Sequence, residues 1–219
     1  MNRPPGGGGR PRAIRDSALT LFAERGYLGT GMRDLAEHVG IRAPSLYNHL
    51  GAKQDLLREV VEEAMADLLA AHRAALASSS DVVEQLRRAM EAHVRYHAVH
   101  PREVKIVNGE LRHLDEPAHT RVSQLRNGYA GSWIELIARG VREDRFSTPS
   151  PALAALALLG IGVAIPLWFT EQGPFSESEL AYHYGDMALS MLNAVPAAGG
   201  VGVGQRPDEP AVMLPPSTR

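Results

Sequence analysis

Apolar residues recur along this chain at spacings of three and four almost from one end to the other, and no stretch shows the strict alternation of a half-buried strand. The pattern predicts nine helices and an all-α fold. Residues 11–25 place Ile14, Ala18, Leu21 and Phe22 on one stripe, with Gly26 as a stop signal. Thr30 is an N-cap candidate for a short second helix carrying Met32, Leu35, Ala36 and Val39, which Gly40 ends. A third short helix is expected over residues 43–49 and a long fourth over 53–77, before the break at "SSS". Asp81 and Glu84 have capping-box spacing at the head of a fifth helix. Pro101 ends that helix and opens a sixth, to about residue 114. A seventh spans residues 117–142, the uncharged segment 151–170 forms an eighth, and Ser176 with Glu179 caps a ninth that stops near residue 193.

Outside these segments the pattern fails. Residues 1–9 and 195–219 are rich in Gly and Pro and read as a disordered arm and tail. The rest divides into a small helical domain over residues 10–57 and a larger one over 58–194. The 219 residues, 44% hydrophobic with no cysteine, exclude a disulfide scaffold and thiolate metal sites and fit a reducing cytoplasm. The N-terminus lacks the apolar stretch of a secretory signal, so export is not expected.

Charge is uneven. The first sixty residues carry nine basic and six acidic side chains, and the remainder fourteen and nineteen. The front of the chain suits a polyanion. Segment 151–170, "PALAALALLGIGVAIPLWFT", has no formal charge and the length of a membrane span. It is rich in Ala and Gly, contains Pro166 and lacks basic flanks, which favours a helix buried in protein where two subunits meet.

The stretch "GIRAPSLYNHLGAK" is the most informative part of the chain. Two short helices joined by "GIR", the second polar at its outer positions, have the proportions of a helix-turn-helix whose second helix enters the DNA major groove. Pro44 sits in the first turn, where a missing N–H costs nothing. Leu46 and Leu50 face inward, leaving Ala43, Ser45, Tyr47, Asn48 and His49 outside. The Tyr47 hydroxyl and the Lys53 ammonium suit phosphate oxygens, the Asn48 amide matches adenine N6 and N7, and Arg42 can pair with guanine or phosphate.

Residues 12–60, with "LFAERGY", a Thr opening the second helix, "LAEHVGI", "LYNHL" and a Lys at set offsets, closely resemble the DNA-binding domain of the TetR (tetracycline repressor) family of bacterial regulators. The resemblance implies a homodimer that binds a palindromic double-stranded DNA operator and represses transcription until a small-molecule effector enters the C-terminal domain. It implies that Thr30, Ser45, Tyr47, His49 and Lys53 contact or position phosphates, and that Arg42, Ala43 and Asn48 touch bases. Arg3, Arg10, Arg12 and Arg15 are candidates for a minor-groove or backbone arm. Three positions depart from the family: Leu50 stands where it often has an aromatic, and Arg42 and Ala52 where it often has a capping Ser or Thr, so the third and fourth helices are expected to start less firmly.

In the larger domain, "EAHVRYHAVHP" places His93, His97 and His100 on one helix face beside Tyr96. Paired histidines one turn apart can bind a metal and so support a metal-dependent enzyme built on His93 and His97. No HExxH pattern, cysteine, nucleophile elbow, phosphate loop or dinucleotide fingerprint accompanies them, and no metal site, cofactor or enzyme activity is expected. An apolar effector cavity between helices is the better expectation. Its candidate lining residues are His93, Tyr96 and His97, then Val107, Asn108 and Leu111, then Tyr129, Trp133 and Trp168. Segments "NGELRHLDEPAHTRVSQLRNGYAGSWIELIARGVREDRF" and "WFTEQGPFSESELAYHYGDMAL" are similar to the C-terminal domain of a TetR branch that governs fatty-acid, sterol or other acyl-CoA breakdown, which implies a lipid-like or acyl-CoA effector. The family pairs its eighth and ninth helices across the dimer. That implies an interface through Leu158, Leu159, Gly162, Val163 and Leu167, aided by Gly160 and Ala164, and a soluble protein rather than one spanning a membrane at 151–170.

Overall fold

The computed structural model describes residues 9–47 and 51–195. The expected tail beyond Val195 and most of the arm, together with Asn48, His49 and Leu50, lie outside the described residues. Among the described residues every regular element is a helix: α1 (Gly9–Arg25), α2 (Met32–Val39), α3 (Ala43–Tyr47), α4 (Lys53–Ala77), α5 (Val82–Val99), α6 (Pro101–Gly109), α7 (Ala118–Arg142), α8 (Pro151–Ala164) and α9 (Glu177–Met191). Short 3-10 turns at Leu111–His113 and Ile165–Leu167 follow α6 and α8.

The chain forms two compact units. The first comprises residues up to 67 together with 102–125, and the second residues 68–101 with everything from 126 onward. The division therefore differs from a single cut at residue 57: α6 and the start of α7 join the N-terminal helices, because Ile106, Leu114, Ala118 and Val122 are buried in the same core cluster as Ile14, Phe22 and Leu57. Both α4 and α7 run from one unit into the other.

In the first unit the α1 stripe is buried as expected. Gly26 ends the helix at φ +77°, its N–H donating to the Phe22 carbonyl at 3.0 Å. A residue with a Cβ is strained in that left-handed conformation. The N-cap of α2 is Gly31, not Thr30. Thr30 is itself buried, its hydroxyl donating to the Gly26 carbonyl (3.0 Å) and shared with Leu21 (3.2 Å), and the α2 end is closed by the Asp34 carboxylate, which accepts from Gly31 N–H at 2.7 Å.

The second unit is built on α5, which packs chiefly against α9 and also against α8. Ala181, Gly185 and Ala188 turn inward on α9, and a Cβ at Gly185 would lie 3.2 Å from the Glu91 side chain, so the two helices approach closely because the contacting residues are small. Asp81 caps α5 through Val83 and Glu84 N–H groups, while Glu84 pairs with Arg88 (2.6 Å) instead of returning to the cap. Ser176 and Glu179 make the full reciprocal box on α9.

The uncharged segment does not form one long helix. Ser150 caps α8 and Pro151 occupies its first turn, but the helix stops at Ala164 and gives way to the 3-10 turn containing Pro166. Fourteen residues rise about 21 Å, short of a hydrocarbon core of about 30 Å. Among the described residues no helix is long and apolar enough to cross a membrane, so the alternative span at 151–170 is corrected.

Candidate nucleic-acid interface and buried polar core

Recognition in the first unit depends on how α3 is held. Gly40 takes φ +75° and donates to the Glu37 carbonyl (3.0 Å), and Ile41 donates to Ala36 (2.9 Å), which together close α2 and turn the chain sharply toward α3. The Arg42 carbonyl accepts from Ser45 (2.9 Å) and Leu46 (3.2 Å) N–H, while its guanidinium, which has no acceptor, cannot cap the helix as Ser or Thr would. Leu46 is fully buried in the core cluster with Leu35 and Leu57. One residue on, Tyr47 is 56% exposed, and Arg42 is exposed, with Ala43 and Ser45 half-buried at the same helix. Leu46 thus anchors a five-residue helix, with Ala43 packed partly against the same core, and the Tyr47 side chain remains available to a partner.

Lys53 is placed differently from a free surface cation. Its ammonium donates to the carbonyls of Tyr27 and Thr30, both at 2.9 Å, and lies 4.1 Å over the Tyr27 ring. Burial holds its pKa below the usual lysine value. Two of its three N–H donors are therefore fixed inside the unit and the third is left for an outside oxygen. The start of α4 is not left open by Ala52: the Asp55 carboxylate reaches back to Ala52 N–H (2.9 Å) and pairs with Arg58 (2.7 Å). Thr30 is sequestered, so its hydroxyl faces internal carbonyls and not the outer surface. Arg15 pairs with Glu63 on α4 and belongs to the folded unit, whereas Arg12 lies 3.9 Å from Asp16 at the surface. Arg3 and the Arg10 side chain lie outside the described residues, as do Asn48 and His49.

In the second unit His93, Tyr96, His97, Tyr129 and Trp133 are all buried. Each hydrogen bond fixes a proton. The Leu159 carbonyl can only accept, so His93 Nε2 (3.2 Å) carries the ring proton, and Nδ1 accepts from the Tyr129 hydroxyl at 2.8 Å. His97 Nδ1 donates to the His93 carbonyl at 2.8 Å. Burial lowers the pKa of His93 and of His97, and raises that of Tyr129, so all three are neutral at pH 7. With both His93 nitrogens and one His97 nitrogen committed, the two-histidine metal centre has no open ligand pair, and among the described residues no group of three potential ligands forms.

Two further residues complete this core, His72, which the sequence pattern did not single out, and Gly162, which it placed at the dimer interface. His72 of α4 hydrogen-bonds Ser132 of α7 through Nε2 (2.9 Å), stacks on Trp133 at 5.3 Å and meets the edge of Tyr129 at 5.0 Å. Its signal was a lone histidine in the apolar run "LLAAHRAALA". Gly162 turns inward against His93, and a Cβ there would collide with His93 Nε2. Three expected lining residues belong elsewhere: Val107 and Leu111 pack on the core of the first unit, and Asn108 is exposed, because α6 joins that unit. Trp168 is half-buried beside Phe169.

The expected interface residues also divide. Leu158 and Gly162 are buried against their own unit and Leu159 is half-buried, whereas Val163 and Leu167 are exposed. They continue an outward stripe with Leu153, Leu156 and Gly160, next in sequence to an α9 that exposes Tyr182, Met187 and Met191.

Three N-terminal helices, the third a short anchored recognition helix, in a chain whose other described elements are also helical define a helix-turn-helix DNA-binding protein. Residues 14–60 match the model of the tetR family of bacterial regulatory proteins, and residues 79–192 match that of a tetracyclin repressor-like C-terminal domain. The chain belongs to the TetR family of transcriptional regulators and is not an enzyme. It is 29% identical over 203 residues to the HTH-type transcriptional repressor KstR2 of Rhodococcus jostii, covering 88% of this chain and 98% of that protein. Among solved structures, the TetR family regulator PfmR of Thermus thermophilus is 31% identical, with 84% of this chain and 98% of that chain covered and a TM-score of 0.73. AibR, solved in complex with isovaleryl coenzyme A and operator DNA, shares the fold at 22% identity, 85% and 100% coverage and a TM-score of 0.75.

Proposed function

We propose that this regulator binds a palindromic operator as a homodimer, represses from it, and is released when a small apolar effector, an acyl-CoA or lipid-like molecule, enters the buried polar core of the second unit. The observation that carries the DNA reading is the pairing of a fully buried Leu46 with an exposed Tyr47 on a helix of five residues, preceded by an exposed Arg42. In this reading Arg42, Ala43 and Asn48 meet base edges, while Ser45, Tyr47, His49 and Lys53 meet phosphates. Thr30 contributes indirectly, by bracing the turn whose carbonyls hold Lys53.

Dimerisation is supported by the exposed apolar stripe of α8 and the methionines of α9, surfaces that monomers rarely leave uncovered. Effector control is supported by the continuity of α4 and α7 between the units, since an effector acts only by binding one conformation better than another. The acyl-CoA assignment is supported by the fold shared with AibR and its isovaleryl coenzyme A complex. A cytoplasmic location follows from the same reading.

Selection of DNA fragments retained by the purified protein, followed by gel-shift titration of the recovered sequence, tests it. Asn48→Ala is expected to lose operator preference, and Lys53→Ala to weaken all DNA alike and lower the salt slope by about one. Unchanged operator affinity in both variants removes α3 and the start of α4 as the reader. Sedimentation as a monomer at micromolar concentration removes the dimer.

A further inference from the structure

Among the described residues, four buried side-chain polar atoms of the second unit make no hydrogen bond, Arg139 Nε, Arg145 Nη2, Trp133 Nε1 and His72 Nδ1, and the last two belong to rings that stack on each other. Both side chains are at least nine-tenths buried, their rings stack 5.3 Å apart, and they come from the two helices, α4 and α7, that continue into the DNA-binding unit. The indole N–H can only donate. The His72 ring uses Nε2 toward Ser132, and when the Ser132 hydroxyl donates there, the proton of the neutral ring sits on Nδ1. Tyr129, one turn before Trp133, gives its hydroxyl proton to His93, and its oxygen makes no hydrogen bond of normal geometry to the indole. In that tautomer two unmet donors lie on two stacked rings, packed among His93, Tyr129 and Ser132. Unmet buried donors cost free energy until an acceptor arrives, so such a pair discriminates sharply for a ligand that supplies one.

We propose that Trp133 and His72 form a donor pair that reads a carbonyl oxygen, of a thioester or a ketone, on an otherwise apolar effector. The proposal rests on the effector reading above and adds to it which atom of the effector is recognised and by which residues. A hydrocarbon cannot satisfy the pair, and the pair offers nothing to a cation.

The test compares molecules that differ only in that oxygen. Isovaleryl and decanoyl coenzyme A are set against their S-alkyl thioethers, and cyclohexanone against methylenecyclohexane. Binding to the full-length wild-type protein is followed through the indole N–H resonances of its two tryptophans, Trp133 and Trp168, assigned with Trp168→Phe. At least one carbonyl compound is expected to bind about tenfold more tightly than its carbonyl-free partner and to move the Trp133 proton downfield while the partner does not. Trp133→Phe is expected to bring that ratio to about one while keeping the affinity for the thioether or hydrocarbon; the wild-type shift stands as a readout even where this variant folds poorly. Selectivity in the thioester arm or in the ketone arm identifies the source of the oxygen. Equal affinities with an unmoved Trp133 proton overturn the proposal alone and leave the donors to an internal water only. No binding by any of the six compounds overturns the effector reading and the proposal together.

Discussion

The unit that carries the helix-turn-helix has a core of aliphatic and aromatic side chains in which Ser17 and Thr30 are the buried polar residues, whereas the second unit buries His72, Gln85, His93 and His97. In the first, hydrogen-bonding groups with business elsewhere are held at the surface: Arg42 just before α3 and Tyr47 at its end are exposed beside the fully buried Leu46. In the second they are turned inward and tied to one another, His93 between Tyr129 and the Leu159 carbonyl, His72 to Ser132. The difference matches the partners. A duplex presents its phosphates and base edges to an outer face, while an apolar effector must be surrounded and can be oriented only by polar groups within the core. Substitutions should therefore separate by region, through loss of an anchor in one unit and loss of a buried polar arrangement in the other.

The largest effect is expected at the anchor. Leu46→Ala removes a fully buried side chain and should cost about 2–5 kcal/mol of stability, with operator binding lost beyond what unfolding explains, because among the described residues Leu46 is the one fully buried side chain of α3. Denaturant unfolding beside gel-shift titration separates the two losses. Gly162→Ala is the counterpart in the second unit. A methyl group in collision with His93 Nε2 must displace the ring and its bond to Leu159, at about 2–4 kcal/mol, with DNA binding at low temperature retained. Loss of DNA binding with stability intact at Gly162→Ala breaks the comparison.

Acid should also act through the second unit. Burial depresses the His72 pKa from 6.5 to about 4, and those of His93 and His97 in the same direction. Between those values the unfolded chain takes up a proton that the folded chain refuses, so stability is complete above about pH 6.5 and falls as pH drops toward 4. At roughly 1.4 kcal/mol per pH unit, His72 alone should account for about 2 kcal/mol between pH 7 and pH 5. A urea midpoint followed by tryptophan fluorescence at both pH values measures it, and His72→Phe should flatten the dependence.

How much of this was legible in the sequence follows the same division. The α1 stripe, Gly26, Gly40, Pro44 and the inward face of Leu46 are encoded by neighbours three or four residues away, and local periodicity reads such features directly. The Asp55 group that closes α4 in place of a capping Ser or Thr is equally local, lying three residues past Ala52. The misplacements arose where distant segments meet. Nothing local tells that residues 102–125 complete the first unit, so the sequence alone does not separate Val107, Asn108 and Leu111 from the histidine cluster of α5. Nor does an apolar segment without charges reveal which of its faces turns inward: Leu158 and Gly162 bury against their own unit while Val163 and Leu167 stay outside, and only the packing of α8 on α5 sets that phase. His72 was missed for the same reason, since a lone histidine in an alanine-rich helix acquires meaning only from Ser132 and Trp133, about sixty residues further along.

The smallest effect sharpens the picture of the outer face. Tyr47→Phe removes one hydroxyl from a residue that is more than half exposed, so folding stability should stay within about 0.5 kcal/mol of wild type. A hydroxyl that donates to a phosphate oxygen should nonetheless contribute about 0.5–1.5 kcal/mol to binding, a loss of a few-fold to about tenfold in affinity. Because the group is uncharged and phosphates carry no sequence, that loss should be the same on operator and on unrelated DNA, and the slope of log affinity against log salt should not change. Lys53→Ala, which removes a cation, should lower the slope and also loosen the turn at Tyr27 and Thr30 that its ammonium holds. A Tyr47→Phe variant that loses operator binding selectively would instead place the phenol against a base edge, and α3 would then read sequence one residue earlier than its contacts with phosphate imply.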